Sequence, residues 1–443
     1  MNYFNELGLS EALSKRVADA GLTDPTPIQA KAIPLVLEGR DVMGLAQTGT
    51  GKTAAFGLPL IDQLSRMGTK PDAQTCRALI LAPTRELAKQ ISVSLEQFTR
   101  NTHMRVDLVV GGASIGAQIG RLRRGTDILV ATPGRLLDIL DRRALRLDQT
   151  KFLVLDEADQ MLDLGFIHAL RKIAGLLPKE RQTLLFSATM PKLMADLAGT
   201  YLTNAARVQV NPPGKAADKI TQSVHFVQKG DKPALLMDYL KKHPGELAIV
   251  FGRTKHGSEK LKKSLVAAGF AAVSVHGNKS QGQRERAISS FRSGQEQILV
   301  ATDVAARGLD IPDVRHVYNF DLPNVPENYV HRIGRTARAG AEGKAVAFCA
   351  PDEMGELKQI QKVMKISIPV EGGTPWEGAE ITAKPGRRGG GGGGGGRRFG
   401  GGGQGQKSGQ KPKFGGGKAG AGAGAGGGNG GQGRQQRRRR SAA

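Results

Sequence analysis

The chain has 443 residues, 39% of them hydrophobic, which is enough to bury the cores of one or two domains. The first ten residues, MNYFNELGLS, do not resemble a signal peptide, and no run of about 18 apolar residues suggests a membrane span, so we expect a cytoplasmic protein. The formal net charge of +24 favours a polyanion as the partner.

Short apolar runs separated by helical patterns predict a series of buried β-strands. The apolar residues follow one another without alternation, which is typical of strands covered on both faces. Helical connections between such strands imply parallel sheets, so the predicted architecture is doubly wound α/β. The runs are RALILAPT from residue 77, DILVATPG from 127, KFLVLDEAD from 151, TLLFSATM from 183, LAIVFGRT from 247, AAVSVHG from 271, QILVATDV from 297 and KAVAFCAP from 344.

A linker is predicted at residues 210–219, where VNPPGKAADK combines two prolines and a glycine with polar residues. We therefore place a first domain at residues 1–209 and a second at 220–367. The hexapeptides ILVATP at 128–133 and ILVATD at 298–303 resemble each other across this linker. Their similarity is consistent with two similar domains.

A phosphate-binding loop is predicted directly after the apolar run RDVMGL. Residues 46–53, AQTGTGKT, fit the pattern GxxxxGK[ST] except at Ala46, and a chance turn is the alternative. Lys52 can reach the terminal phosphates, and Thr53 can hold magnesium at the start of a helix. The predicted nucleotide-binding residues are Ala46, Gln47, Thr48, Gly49, Thr50, Gly51, Lys52 and Thr53.

Three carboxylates follow the apolar run at 152–155, namely Asp156, Glu157 and Asp159. In P-loop proteins an apolar strand delivers an acid beside the magnesium ion, and Asp156 fits this role. Glu157 would then orient and deprotonate the attacking water. We expect Asp159 to hold neighbouring groups rather than the metal. A solvated acidic turn is the alternative interpretation of the triplet.

Residues 368–443 are predicted to form a disordered, basic, glycine-rich tail. From Lys384 to the end the chain carries 14 Lys or Arg residues and no acid, and this composition cannot bury enough apolar surface to fold. Arg and Lys interspersed with Phe399 and Phe414 favour an RNA-binding arm, in which cations meet phosphates and rings stack on bases. A solvated linker is the alternative.

The motifs resemble those of the DEAD-box ATP-dependent RNA helicases, whose signature is DEAD, here at 156–159. The resemblance covers roughly residues 1–365 and implies two tandem RecA-like domains. The short segment before the motifs and the Gly/Arg-rich tail resemble the bacterial RhlE-like branch. The other family motifs are PTREL from 83, Gly111 and Gly112, TPGR from 132, SAT from 187, ATDVAARGLD from 301 and HRIGRTAR from 331.

The resemblance implies how the base of the nucleotide is recognised. Residues 23–29, TDPTPIQ, resemble the adenine-recognising Q motif of the family. In that motif Gln29 would make paired hydrogen bonds to adenine, and Phe4 would stack on the adenine ring. Without the resemblance, a core or terminal anchoring residue would be the preferred interpretation of Phe4. The chain also lacks the guanine-recognising motif NKxD.

The resemblance also implies that the second domain completes the ATP site. Arg335 and Arg338 of HRIGRTAR would contact the γ-phosphate as arginine fingers, and Asp310 would contact the ribose. A surface ion-pair cluster is the alternative for the two arginines. Ala337 stands where many family members carry glycine, which affects the loop but leaves both arginines in place.

RNA is expected to cross both domains through contacts to its sugar-phosphate backbone, which give affinity without sequence choice. The nucleotide site would be coupled to this face by side chains near the acids. The expected RNA-binding residues, each of which could equally be a turn or cap residue, are Arg85, Gly112, Thr132, Arg135, Arg253, Thr254, Gly277 and Thr302. The expected coupling residues are Asp159, Ser187, Thr189 and His331.

The resemblance thus implies an RNA-stimulated ATPase that uses ATP and Mg²⁺ and locally unwinds or remodels RNA duplexes and RNA–protein complexes. Its two domains would close over RNA when ATP binds. Two alternatives remain, an ATP-gated RNA clamp and an RNA annealer or chaperone driven by the tail. The expected partners are RNA, together with ribosomal precursors or an RNA-degrading complex, and no membrane.

Overall fold

The computed structural model describes residues 3–46, 49–190, 192–210, 220–309, 311, 313–337 and 342–376. These residues form two α/β halves, each built on one seven-stranded sheet. Every strand pairing in both sheets is parallel, as the continuous apolar runs predict. Among the described helices, none is both long and apolar enough to cross a membrane.

The first half contains seven strands and nine described helices, preceded by a short 3-10 helix at Asn5–Leu7. Its strands are β1 (Val42–Leu45), β2 (Cys76–Leu81), β3 (Val106–Val109), β4 (Thr126–Ala131), β5 (Phe152–Leu155), β6 (Gln182–Ser187) and β7 (Ala206–Gln209). Its helices are α1 (Glu11–Asp19), α2 (Pro27–Leu37), α3 (Lys52–Met67), α4 (Arg85–Phe98), α5 (Ile115–Leu122), α6 (Pro133–Asp141), α7 (Ala158–Asp163), α8 (Ile167–Ala174) and α9 (Lys192–Tyr201).

The second half repeats this design with seven strands and six described helices, and it includes a short 3-10 helix at Pro351–Glu353. Its strands are β8 (Ile220–Phe226), β9 (Leu247–Phe251), β10 (Ala272–Val275), β11 (Ile298–Ala301), β12 (Val314–Asn319), β13 (Gly343–Cys349) and β14 (Val370–Gly372). Its helices are α10 (Lys232–Lys241), α11 (Lys255–Ala267), α12 (Gln281–Arg292), α13 (Asp303–Ala306), α14 (Glu327–Ile333) and α15 (Met354–Met364).

The two sheets have the same strand order. The first runs β3-β4-β2-β5-β6-β1-β7 and the second runs β10-β11-β9-β12-β13-β8-β14, so each strand of one sheet has a counterpart in the other. The similar hexapeptides at 128–133 and 298–303 begin on β4 and β11, which occupy equivalent positions. The similarity seen in the sequence therefore reflects two similar domains.

Central strands such as β2, β4 and β9 are buried on both faces, and the motifs follow the carboxyl ends of the strands. Leu79 and Ile80 are neighbours in β2 but pack into different hydrophobic clusters, which lie on opposite sides of the sheet. Two helices begin at a threonine that caps them shortly after a strand. Thr84 accepts a hydrogen bond from the Leu87 N–H at the start of α4, and Thr254 accepts one from the Gly257 N–H at the start of α11.

All eight predicted strands are present, and the second half extends further than predicted. Strand β14 pairs with β8, and the Trp376 indole donates a hydrogen bond to the Cys349 carbonyl at 3.1 Å. The predicted domain end at residue 367 therefore lies before the last strand, and residues 368–376 belong to the fold. Of the other predicted segments, residues 211–219 of the linker and 377–443 of the tail lie outside the described residues.

Candidate active site

The predicted phosphate-binding loop connects β1 to α3. Ala46 continues the sheet by donating its N–H to the Ser187 carbonyl at 3.0 Å. Gly49 and Gly51 have φ angles of 84° and 88°, a backbone conformation that favours glycine. The Lys52 ammonium is buried and donates to the Ala46 carbonyl at 3.1 Å. The lysine therefore spans the loop in which phosphates bind in proteins with this motif.

The Q-motif glutamine is attached to this loop. The Gln29 amide accepts a hydrogen bond from the Thr26 N–H at 2.8 Å and donates one to the Gly51 carbonyl at 3.0 Å. The Thr26 hydroxyl donates to the Thr50 carbonyl at 2.8 Å. A Cβ atom added to Gly51 would lie 2.4 Å from Gln29 Nε2. The Gln29 amide keeps one further donor and one further acceptor for a ligand.

Phe4 lies in the hydrophobic core of the first domain, with 0% of its surface exposed. Its neighbours in this cluster include residues of α1 and α2. This placement agrees with the interpretation that the sequence favours without the family resemblance. Adenine could stack on the ring only after a local rearrangement, so the adenine contact of Phe4 stays a prediction.

The first two predicted acids follow β5 and are buried. Burial raises the pKa of Asp156 to about 7, against the opposing charge of Lys52. The Asp156 carboxylate accepts a hydrogen bond from the Glu157 N–H at 3.0 Å. Glu157 has φ 51° and ψ 50°, a left-handed conformation that costs a non-glycine residue about 1 kcal/mol or more. Such strain is typical of functional positions.

The third acid, Asp159, connects three parts of the chain. Its Oδ2 accepts hydrogen bonds from the Thr189 N–H at 2.9 Å and the Thr189 hydroxyl at 2.8 Å. The His331 Nε2 of the second domain lies 3.7 Å from the same oxygen. Burial alone would raise the pKa of Asp159, but His331 and Thr189 hold it well below its usual range. The Ser187 hydroxyl donates to the Thr189 carbonyl at 2.7 Å.

Arg335, the first predicted arginine finger, is buried and held by the backbone of its own domain. Its guanidinium donates to the Leu309 carbonyl at 2.7 Å and to the His331 carbonyl at 3.1 Å. The preceding α14 carries His331, which faces Asp159, so the finger segment lies at the domain interface. Predicted site residues Gln47, Thr48, Asp310 and Arg338 lie outside the described residues.

Four of the eight predicted RNA-binding residues line one cleft of about 430 Å³, which both domains form. Arg85, Thr132 and Arg135 come from the first domain, and Gly277 comes from the second. Lys279 and Arg284 line the same cleft and add two cations that belong to none of the family motifs. A cleft with several cations suits a phosphate backbone.

The other four predicted RNA-binding residues do not line this cleft. Gly112 packs against Arg85, and the other three take part in contacts or helix caps of the second domain. A Cβ atom added to Gly112 would lie 2.2 Å from Arg85 Nη1, so only glycine lets the arginine pack there. The Arg253 guanidinium donates to the Glu353 carboxylate at 3.1 Å and to the Leu322 carbonyl. Thr254 and Thr302 are the N-cap residues that directly precede α11 and α13.

Polar contacts between the domains, which the sequence did not suggest, surround this cleft. The Arg284 guanidinium lies 2.9 Å from the Glu86 carboxylate, and Arg307 lies 3.0 Å from Asp163. The Arg85 guanidinium donates to the Gln281 side chain at 3.1 Å. These partners are between 144 and 198 residues apart in the chain, so no local pattern could pair them.

Two family descriptions match the chain. The description DEAD/DEAH box helicase matches residues 26–197, and the description Helicase conserved C-terminal domain matches residues 231–340. The first match includes the phosphate-binding loop and the three acids. The second includes His331 and Arg335. The matches thus cover both halves of the candidate site.

The chain is also similar to curated bacterial proteins over most of its length. It is 46% identical over 365 residues to the ATP-dependent RNA helicase CshA of Listeria monocytogenes, covering 82% of this chain and 69% of the relative. It is 45% identical over 362 residues to the DEAD-box ATP-dependent RNA helicase CshA of Bacillus subtilis, covering 82% and 72%. These relatives are named CshA, so the RhlE-like branch is not confirmed.

Solved structures with both domains closely resemble this chain. S. cerevisiae Dbp5 bound to RNA and ADP BeF3 matches with a TM-score of 0.76 and 32% identity, covering 83% of this chain and 95% of that one. Mss116p bound to ssRNA and AMP-PNP matches with a TM-score of 0.76 and 30% identity, covering 85% and 80%. Both neighbours were solved with a nucleotide and RNA.

Proposed function

The chain belongs to the DEAD-box family of ATP-dependent RNA helicases, and we propose that it separates or remodels RNA locally when ATP closes its two domains over one strand. It is an RNA-stimulated ATP hydrolase. The observation that supports closure is the Asp159 carboxylate, which bonds Thr189 in its own domain and faces His331 of the second domain. An acid beside the nucleotide site thereby contacts both halves of the molecule.

For the chemistry, we propose that Glu157 is the general base and that Lys52 stabilises the terminal phosphates. The oxygen donors of Asp156 and Thr53 suit Mg²⁺, which prefers hard oxygen ligands. The raised pKa of Asp156 fits this role, because a bound cation would offset the cost of burying its ionised form. The ion would supply charge neutralisation for the phosphates. Glu157 would orient the attacking water and accept its proton.

Arg335 and Arg338 are the proposed arginine fingers. The Arg335 guanidinium already lies at the domain interface, held by the Leu309 and His331 carbonyls. A guanidinium that reaches the γ-phosphate only in the closed arrangement would stabilise charge in the transition state. Hydrolysis would then depend on domain closure.

RNA and ATP would favour each other's binding, because both bind the closed arrangement. Reciprocal linkage requires that a nucleotide which tightens RNA binding is itself bound more tightly with RNA. Closure would bend one strand in the cleft lined by Arg85, Arg135 and Gly277. A bent strand no longer fits a duplex, so its complement is released. Hydrolysis would reopen the cleft.

The test of this function is the Glu157→Gln variant. The amide keeps the shape of the acid but cannot accept a proton, so we expect ATP and RNA binding close to the parent and ATP turnover abolished. Single-turnover release of a short RNA strand should still depend on ATP. Glu38→Gln, at an exposed site of the first domain, is the control. ATP turnover by Glu157→Gln at near the parental rate would contradict the assignment.

Assays of strand release and of strand annealing separate the proposed function from its alternatives. A clamp would hold single-stranded RNA with ATP but release no strand from a duplex. An annealer would join strands without ATP and lose that activity on truncation after residue 383. The cytoplasmic location, the RhlE-like branch and a role with ribosomal precursors or an RNA-degrading complex are further proposals that rest on the family resemblance.

The tail is the proposed RNA-binding arm. Truncation after residue 383 should leave the RNA-saturated kcat nearly unchanged, because the proposed hydrolytic residues all precede it. RNA affinity should fall, and each lost phosphate contact should flatten log K against log salt by about 0.7 for a single strand. The loss should be similar for unrelated RNA sequences. Parallel salt slopes for the two proteins would show that the tail is only a spacer.

A further inference from the structure

Three metal-ligating side chains meet in the second domain at the edge of the sheet opposite to the nucleotide and RNA residues. They are His243, Glu246 and His316, and we call them the His–Glu–His cluster. One ligand atom from each residue can be chosen so that all three lie within 4.8 Å of one another. None of the three belongs to a motif discussed above.

The fold brings these residues together from two parts of the chain, the loop between α10 and β9 and the strand β12. His243 follows the end of α10, and Glu246 immediately precedes β9. His316 lies near the start of β12, beside Ala248 of the neighbouring β9. A tight turn at Gly245, with φ 86°, returns the chain from His243 to Glu246. The cluster is therefore fixed by the backbone of the sheet and not by flexible side chains alone.

The side chains already contact each other. The His316 Nε2 and the Glu246 carboxylate form a short hydrogen bond, and the His243 Nδ1 lies 3.9 Å from the same carboxylate. The two imidazole rings are stacked, with their centres 4.2 Å apart. The His316 side chain is 8% exposed, whereas Glu246 is 47% exposed. One ligand is thus buried and fixed, and another opens to solvent.

We propose that the His–Glu–His cluster binds a Zn²⁺ ion, with water completing the coordination. Two imidazoles and one carboxylate are a donor set that zinc takes with an open fourth position. A tetrahedral ion separates its ligand atoms by roughly 3.3 Å, so the widest pair would have to close by about 1.5 Å. Rotation of the exposed Glu246 and the half-exposed His243 would supply this movement.

The surroundings partly favour and partly oppose a cation. The carbonyls at the end of α10 give that helix terminus a partial negative charge. Lys344 and Arg315 act on the cluster with positive charge, although Lys344 is itself paired with Glu371 at 2.8 Å. The His316 Nδ1 has no hydrogen-bond partner among the residues that the structure describes. We therefore expect an affinity on the order of 1 µM, weaker than closed structural sites.

The site is tested by Zn²⁺ binding to the full chain in excess Mg²⁺, measured by competition with a chromophoric chelator. The variants are His243→Ala and Glu246→Gln, which change the two more exposed ligands and leave the buried His316 in place. His256→Ala, which removes an exposed histidine of the same domain, is the matched control. Co²⁺ would serve as a spectroscopic probe of tetrahedral coordination.

We expect one Zn²⁺ per chain for the parent and for His256→Ala, and roughly 100-fold weaker binding for each cluster variant. Zinc at 100 times the dissociation constant of the parent should raise the Tm of the parent by roughly 5 °C and that of the cluster variants by only about 1 °C. ATP turnover without zinc should be the same in all four proteins. Equal zinc affinity in the parent and His243→Ala would overturn the proposal, and so would an equal loss in His256→Ala.

Discussion

Arg307 of the second domain forms an ion pair with Asp163 of the first, with its Nη2 3.0 Å from the carboxylate Oδ2. The same guanidinium donates to the Asn328 side chain at 2.9 Å, so it is held in place within its own domain. Burial raises the pKa of Asp163 despite the charge of Arg307. The pair therefore lies in a partly dry interface, where loss of one partner is costly.

The first prediction follows from this pair. Asp163→Asn keeps the size of the side chain but removes its charge, so the closed arrangement should lose about 1.4 kcal/mol, a factor of ten. The KM for RNA in RNA-stimulated ATP hydrolysis should rise roughly tenfold. The control is Asp148→Asn, whose exposed partner Arg146 lies in the same domain. This variant should leave the KM for RNA unchanged. Equal KM values for the two variants would exclude a role in closure.

The second prediction concerns the close approach of Gly308 to the first domain. A Cβ atom at this position would lie 2.3 Å from the Thr84 hydroxyl, and the φ angle is +73°. Gly308→Ala should therefore both strain the backbone and push the domains apart. Gly294→Ala is a matched control, because its φ is +74° but the added Cβ meets nothing within 4 Å.

Both glycine variants should lose about 1 kcal/mol of stability from the backbone alone. Only Gly308→Ala should lose RNA-stimulated ATPase activity, by roughly tenfold or more, because only its side chain meets the other domain. Thermal unfolding and RNA titrations of ATP turnover measure the two effects separately. A comparable loss of activity in Gly294→Ala would attribute the effect to strain and not to the interface.

The third prediction concerns Gln29, which bonds the phosphate-binding loop and is also the proposed adenine contact. Gln29→Ala should weaken ATP and GTP binding together by loosening Gly51, and should also reduce the preference for ATP. Thr26→Val removes the hydroxyl bond to Thr50 and the capping bond from the Gln29 N–H but leaves the Gln29 amide in place, so it should weaken ATP and GTP binding equally. The measurement is the ratio of kcat/KM for ATP and GTP. An unchanged ratio in Gln29→Ala would make the residue a support of the loop only.

The fourth prediction concerns Ala337, whose φ of 56° is unfavourable for any residue except glycine. Ala337→Gly should remove strain of about 1 kcal/mol, offset in part by the greater freedom of glycine in the unfolded chain. The Tm should therefore stay level or rise. Ala195→Gly, at an exposed position inside α9, should instead lower stability by about 1 kcal/mol. A similar fall in Tm in both variants would show that the backbone at residue 337 is not strained.

The fifth prediction concerns pH and Glu259. Partial burial would raise the pKa of Glu259, but hydrogen bonds from Ser274, His276 and Lys279 outweigh it and lower the pKa to about 2. A carboxyl with a lowered folded-state pKa contributes stability above its unfolded value, and this contribution disappears as pH falls toward 2. Stability of the parent should therefore fall between about pH 5 and pH 2.

Glu259→Gln removes the titrating group, so the gap in unfolding free energy between the parent and this variant should narrow as pH falls through that window. Glu296→Gln removes another acid of the second domain. The gap in unfolding free energy between the parent and this control should stay constant over the same pH range. The measurement is denaturant unfolding at several pH values. A constant gap between parent and Glu259→Gln would show that the carboxyl is not stabilised in its ionised form.

Many residues of the candidate site could be predicted because they stand next to one another in the sequence. Lys52 and Thr53 follow the glycines of the proposed phosphate-binding loop, and Asp156 directly follows its own strand, so each motif is visible in a few consecutive residues. The interface could not be predicted in this way. Asp163 belongs to no motif, and its partner lies 144 residues away, where only the packing of the two domains defines the pair.

The fold was predictable to a similar extent and for a related reason. Strands buried on both faces, such as β2 and β9, show continuous apolar runs that stand out in the sequence. Strand β8 reads ITQSVHF, with polar residues between apolar ones, and β14 has three residues, so neither gives such a signal. Phe4 shows the reverse case, since the sequence alone favours the core position that the structure shows, whereas its adenine contact rests only on the family resemblance.

The domains meet through polar partners such as Asp163 with Arg307 and Glu86 with Arg284. When these pairs separate, each charged partner can be hydrated at once. If the two halves part in each cycle, opening exposes these charged partners to water and does not leave them buried without a counter-charge. The charged side chains that pair the domains in the closed arrangement would then favour solubility in the open one.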